Sequence, residues 1–228
     1  TLETGAAAKG TAGSVSIVIG GGDAGAGGRI TINAGSSTAT SSGTGGMISL
    51  MTGAGTTTSS GGFSVRTAIA GTNGVSGALS FRTGGATEGS SGAVAVKTGA
   101  ATSGTAGSIS LVIGSGDTST GGRVVVNAGE STAHTGGSVS VISGLGSATS
   151  SGVFSIKTAD AGANGVSGAL HFNSGTTSKG SSGSITLETG AAAKGTAGSL
   201  SILVGQGDTG SGGRFLLKAG NTLSATGL

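Results

Sequence analysis

A single unit of fifteen residues, written about fifteen times, leaves this chain few ways to fold. Clear copies are Ser-Ile-Thr-Leu-Glu-Thr-Gly-Ala-Ala-Ala-Lys-Gly-Thr-Ala-Gly, from Ser184 to Gly198, and Ser-Ile-Ser-Leu-Val-Ile-Gly-Ser-Gly-Asp-Thr-Ser-Thr-Gly-Gly, from Ser108 to Gly122. A fixed short period means that each unit can bury its apolar face only against other units, the situation of solenoids and stacked-strand arrays.

With Ser184 as position 1, position 2 is apolar in every unit, from Val15, Ile30 and Ile48 through Ile185, Leu200 and Phe215. Position 4 is apolar without exception, from Leu2, Ile17 and Ile32 to Leu187, Ile202 and Leu217. Position 3 between them is mostly Ser or Thr. This period-two alternation, carried by Val, Ile, Leu and Phe, is the pattern of a strand with one face covered. Position 7 is Gly except at Ala68 and Ala159, and position 15 is Gly except at Leu228. Gly at both ends of the strand marks corners, where positive φ or a close backbone approach excludes a side chain.

A longer period lies above the unit. Asp23, Asp117 and Asp208 are equivalent, as are Arg29, Arg123 and Arg214. Phe63-Ser64-Val65-Arg66-Thr67 returns as Phe154-Ser155-Ile156-Lys157-Thr158, and Asn73 to Leu79 returns as Asn164 to Leu170. Six units make one super-repeat, and the chain holds about two and a half of them. The unit from Arg29 carries three extra residues, and those containing Phe63 and Phe154 carry one each, all in turns.

The pattern predicts an all-β fold: a β-solenoid, or parallel β-helix, of about fifteen residues per coil and about fifteen coils with a six-coil super-repeat. Positions 2 and 4 would point inward and position 6 partly so, with Ala, Gly, Ser and Thr of positions 8 to 13 as the facing wall. Coils stacked every ~4.8 Å would give a rod about 70 Å long. The alternative is an antiparallel stacked-strand sandwich with the same period. Residues 1–228 read as one continuous solenoid. Opening in mid-unit at Thr1, without a visible cap, signal peptide or initiator Met, they also read as a mature product or a segment of a longer repeat chain.

Composition narrows function mainly by exclusion. Of 228 residues 53 are Gly, and Pro, Cys, Trp and Tyr are absent. Collagen needs a Gly-X-Y period and Pro, so it does not apply. Mean hydropathy is +0.27 and only 8% of residues are charged, which argues against a disordered, solvated chain. Without Cys there are neither disulfides nor thiolate metal sites. A formal charge of +3 and five Phe as the only aromatics suit neither the electrostatics nor the stacking of nucleic-acid binding. No apolar run approaches the roughly 18 residues of a membrane span.

Few residues suggest chemistry. The Gly-x-Gly-Asp turns at Gly20, Gly114 and Gly205 bring one carboxylate per six units, too few for a calcium site. An Asx turn, or pairing with Lys9 or Lys194, is the expected role of these Asp residues. His134 and His171 lie in different columns and form no metal pair. No Ser stands in a specific arrangement with His and Asp, and the Gly-rich turns lack the Gly-Lys-Ser/Thr ending of a phosphate loop. No enzyme, metal or cofactor is expected. Position 5 carries Arg66, Arg82 and Lys97 in consecutive units, a candidate contact for an anionic polysaccharide or mineral surface. Their equivalents one super-repeat on are Lys157, Asn173 and Glu188, where the stripe reverses sign.

The Ser-Ser-Gly and Thr-Gly-Gly turns between short amphipathic strands resemble Gly/Ser/Thr-rich repeat proteins of extracellular surfaces. The chain looks most like those of diatoms and related algae, and secondarily like bacterial β-helical adhesins. The resemblance covers the whole chain and transfers no site residue. It implies an extracellular or cell-surface structural protein, a rod or filament shaft that self-associates end to end or laterally. The alternative is a surface-binding module for ice, polysaccharide or mineral. Insect ice-binding solenoids present a regular Thr-x-Thr face. Here Thr at position 6 (Thr4, Thr52, Thr67, Thr83, Thr98, Thr158, Thr189) is interrupted by Ile19, Ala34, Ile113 and Ala128.

Overall fold

The computed structural model describes residues 1–8 and 10–221. They divide into two compact units, Thr1–Val112 and Ile113–Leu228. The same local construction recurs in both.

Its basis is a contact between position 6 and the Gly at position 15 of the same repeat. In the first compact unit, a Cβ built on Gly13 would lie 3.2 Å from Thr4 Cβ, on Gly61 3.4 Å from Thr52 Cβ, and on Gly107 3.5 Å from Thr98 Cγ2. On Gly28 it would overlap Ile19 Cγ2 outright. In the second, Gly122 and Gly213 would each bring a Cβ within 2.5 Å of a methyl, of Ile113 and Val204 respectively. Gly168 and Gly198 face Thr158 and Thr189 in the same way. At Gly28, Gly122 and Gly213 the position 6 side chain occupies the space that a Cβ at position 15 would need, whereas at Gly107 and Gly198 the contact is an ordinary van der Waals one. Thr4 reinforces the contact by donating its Oγ1 hydrogen bond to the Gly13 carbonyl at 3.1 Å.

Backbone bonds close the same loop. The position 15 amide donates to the position 7 carbonyl from Gly46 to Gly35 (2.7 Å), Gly61 to Gly53 (2.9 Å), Gly137 to Gly129 (2.9 Å) and Gly152 to Gly144 (2.9 Å). In the longer repeats the Asn-containing turn adds a bond from Gly74 to Gly71 and from Gly165 to Gly162, both 3.0 Å. Each bond in the first compact unit has its counterpart one super-repeat later in the second. Between the two Gly corners the chain bends at positions 10 to 12, and Gly10, Gly89, Gly180 and Gly210, all at position 12, take φ of 122°, 122°, 149° and 126°. Those angles suit Gly and strain other L-residues.

The predicted solenoid is not what these residues form. Among the described residues there is no helix and no strand, and no residue is buried. Neither coil ladders nor the two sheets of the alternative sandwich are found. The position 2 side chains, expected in a core, are 50–64% exposed, and those at position 4 are 49–87% exposed. The total accessible area is 22608 Å², against about 8,900 Å² for a compact monomer of this mass and about 30,000 Å² for its extended chain. The physical reason lies in the loop. Positions 8 to 13, which were to form the wall facing positions 2 and 4, fold back on their own Gly corner. They hold mostly Ala, Gly, Ser and Thr, too little apolar surface to offset the ordering of so Gly-rich a backbone.

The alternation itself survives in weakened form. Position 6 is the most covered apolar column, with Ile19, Ile113 and Val204 at 46%, 44% and 44% exposure. Thr52, Ser143, Thr158 and Ser174, also at position 6, are half-buried. Coverage therefore comes from the unit's own Gly corner rather than from a neighbouring coil.

Two outcomes follow from this construction. With no buried core, calorimetry of the dilute chain is expected to show no cooperative endotherm; a sharp two-state transition would contradict the structure. Separately, a Cβ at Gly137 would lie 3.2 Å from the Gly129 amide nitrogen, whereas at Gly136 it would meet the Gly129 carbonyl oxygen at an ordinary 3.6 Å. Gly137→Ala should raise the exchange rate of the residue 137 amide by roughly fivefold through loss of its hydrogen bond. Gly136→Ala should leave that amide nearly unchanged, both read by NMR hydrogen exchange.

Candidate functional site

Position 5 lies on the opposite side of the chain from the partly covered even positions. The aliphatic residues there, Val18, Met51, Val112, Ile142 and Leu203, are 79–93% exposed. Arg66, Arg82 and Lys97 occupy this same column and are exposed. No hydrogen bond among the described residues engages any of the three. The close spacing expected of them on consecutive coils belonged to the solenoid and does not survive it. Each stands on its own repeat as a separate cation.

Arg66 has the most distinctive surroundings. With Thr67, Ala68 and Ile69 it lines an open depression of about 440 Å³. Ala68 stands here in place of the position 7 Gly, in a repeat with one extra residue. All four lining residues are consecutive in one stretch, so no second wall encloses a small ligand. A guanidinium presented this way can meet a flat anionic surface, but it has no preformed cradle for a single anion.

The other sequence candidates are local features. Asp23, Asp117 and Asp208 are exposed at the position 10 bend, and Thr209 Oγ1 donates to Asp208 Oδ1 at 3.3 Å. Lys9, one expected partner of such a carboxylate, lies outside the described residues. No hydrogen bond among the described residues joins the other, Lys194, to an Asp. The main-chain amide of His134 donates to Ser131 Oγ at 3.0 Å, and that of Ala39 to Ser37 Oγ at 3.3 Å, the local turns that Ser commonly makes. No group of three or more His, Cys, Asp or Glu side chains that could hold a metal occurs among the described residues. No helix among the described residues is long and apolar enough to cross a membrane.

The relation that sequence reading missed is the use of position 6. Its Thr residues rest on the Gly of their own loop, with Thr52 and Thr158 half-buried and Thr4, Thr67, Thr83, Thr98 and Thr189 exposed. The signal was present in the pairing of an invariant Gly with small or β-branched residues nine or more positions earlier, as in Thr4 with Gly13 and Ile113 with Gly122.

No family model, curated protein or solved structure matches the chain. Its chemistry is therefore read from its own residues.

Because Arg66, Arg82 and Lys97 are exposed and separate, any contact with an anionic surface should be additive and salt-sensitive. Replacing all three with Ser should weaken retention of the full chain on silica or an anionic polysaccharide at low salt by about tenfold. Replacing Arg66 alone should give only part of that loss. Retention unaffected by the triple substitution would remove these residues as the contact.

Proposed function

We propose that this chain is a structural, extracellular or cell-surface protein whose copies associate laterally into the shaft of a filament, and that it has no catalytic role. The observation carrying this reading is the exposure of positions 2 and 4 in every described repeat. An apolar residue recurs at both positions throughout the chain, yet none has a partner within it that buries it. Exposed apolar side chains in such number are unusual on monomeric proteins, and large exposed apolar patches mark surfaces that associate. Identical units repeat the same surface at the same interval, so a second copy of the chain is its most complementary partner, and association that buries one pair of units repeats along the length.

Other features support the same reading. The side chains are chemically inert, with no Cys, Tyr or Trp and two isolated His residues. Gly-, Ser- and Thr-rich turns suit a repetitive exported polymer, in keeping with the resemblance to algal and bacterial surface repeat proteins. Charge amounts to only 8% of residues and opposes close packing of copies little.

The test is concentration-dependent assembly of the full chain, followed by sedimentation velocity and electron microscopy. Filaments are expected above a critical concentration. Asp at position 4 of three successive repeats (Phe81→Asp, Val96→Asp and Leu111→Asp) should raise that concentration by more than about tenfold, because each would place a charge in a surface that must be dehydrated. A chain that stays monomeric at all accessible concentrations would overturn the reading. Immunolabelling of unpermeabilised source cells checks the location.

A further inference from the structure

We propose that Asn73-Gly74 and Asn164-Gly165 are sites of spontaneous covalent modification, at which the Asn side-chain amide is lost and a carboxylate appears. The inference draws on each compact unit by itself and does not depend on how copies associate.

Each pair closes a four-residue turn in a repeat with one extra residue: Gly71-Thr72-Asn73-Gly74 in the first compact unit and Gly162-Ala163-Asn164-Gly165 in the second. The Gly74 amide donates to the Gly71 carbonyl, and the Gly165 amide to the Gly162 carbonyl, both at 3.0 Å. Asn followed by Gly commonly serves a type I′ turn, which needs positive φ at both residues. That reason does not apply here, because neither residue of either pair has positive φ. Nor does packing demand a glycine. A Cβ on Gly74 would meet Ala70 Cβ at 3.6 Å, and one on Gly165 would meet Ala161 Cβ at 3.5 Å, both ordinary contacts. The turn would accept Ala at either place, so its geometry does not account for the two glycines.

What the glycines do supply is an unhindered nucleophile. The Gly74 nitrogen gives up its proton to solvent base and bonds to Asn73 Cγ. The Cγ–Nδ2 bond breaks, and the side-chain nitrogen takes a proton from water and leaves as ammonia. The five-membered imide then adds one water. Opening at Cγ gives aspartate; opening at the backbone carbonyl gives isoaspartate, with the main chain rerouted through the side chain. No oxidant or reductant takes part.

The structure leaves this path open. Asn73 and Asn164 are exposed, and no hydrogen bond among the described residues engages either side chain. No buried residue anchors the turn among the described residues. The attacking nitrogen is restrained by one exposed hydrogen bond, whose opening lowers the reactive population only about fivefold. Asn33, Asn127 and Asn173 lack the feature, being followed by Ala34, Ala128 and Ser174, whose Cβ atoms hinder the attack. Each conversion adds one negative charge, and two such changes act on a formal charge of only +3.

The experiment incubates the purified full chain in mildly alkaline buffer and follows each Asn by peptide mapping with mass spectrometry. Asn73 and Asn164 should show the mass change of amide to acid, in separable aspartate and isoaspartate products, well before Asn33, Asn127 or Asn173 changes. Conversion should run about fivefold slower than in a short peptide of residues 70–76, the factor set by the turn hydrogen bond. Gly74→Ala and Gly165→Ala should leave the turn amides equally protected in hydrogen exchange. The same substitutions should slow conversion to the rate of Asn33 and Asn127, which Ala already follows. Asn73 and Asn164 converting no faster than Asn33 and Asn127, or converting at a rate indifferent to the Ala substitutions, would overturn the proposal. Assembly is read separately on freshly prepared chain, so failure of either reading leaves the other standing.

Discussion

The contact of the position 6 side chain with the Gly at position 15 is the interaction on which the rest of this structure depends. It closes each repeat on itself. Thr, Ile, Val, Ala or Ser at position 6 fills the space over a backbone that has no Cβ, as Thr158 does over Gly168 and Val204 over Gly213. In four repeats the amide of that Gly also donates to the carbonyl of the position 7 Gly, from Gly46, Gly61, Gly137 and Gly152. The turn residues between are drawn into a bend, with a positive φ at position 12 in the repeats of Gly10, Gly89, Gly180 and Gly210. In these repeats one close approach thereby links the position 15 Gly to the place of the bend.

Local closure has a cost elsewhere. A loop satisfied by its own corner does not lie over positions 2 and 4, so the two most regular apolar columns of the chain end up facing water. Burial of those columns would supply most of the hydrophobic free energy available to such a sequence. Within one chain it goes largely uncollected. On the reading proposed here, that free energy is recovered between chains, and the stability of the material is a property of the assembly and its concentration rather than of a monomer.

Much of the local design is legible in the residues. The fifteen-residue period, the even-position apolar face, the Gly corners and the six-unit super-repeat all have counterparts in the structure. The apolar side chains at position 6 are more covered than those at position 5, and the hydrogen bonds of Gly61, Gly74 and Gly46 recur at Gly152, Gly165 and Gly137. What was not legible is which units touch. Apolar Ile17 and Ile32 are equally suited to lie in a column within one chain or against another molecule, because the hydrophobic effect is non-directional. The position 5 cations suffered from the same ambiguity: Arg66, Arg82 and Lys97 form a stripe only if consecutive repeats stack, and among the described residues no ladder stacks them.

By itself the sequence determined what depends on neighbours close along the chain: where the backbone turns, which face is apolar, and the absence of thiols. Only the tertiary structure decided that each repeat closes on its own Gly corner and leaves positions 2 and 4 exposed. The reason is one of competition. The bond from position 15 to position 7 closes a loop of fewer than a dozen residues at small entropic cost, whereas stacking coils must order every intervening residue of a Gly-rich chain before its apolar columns meet.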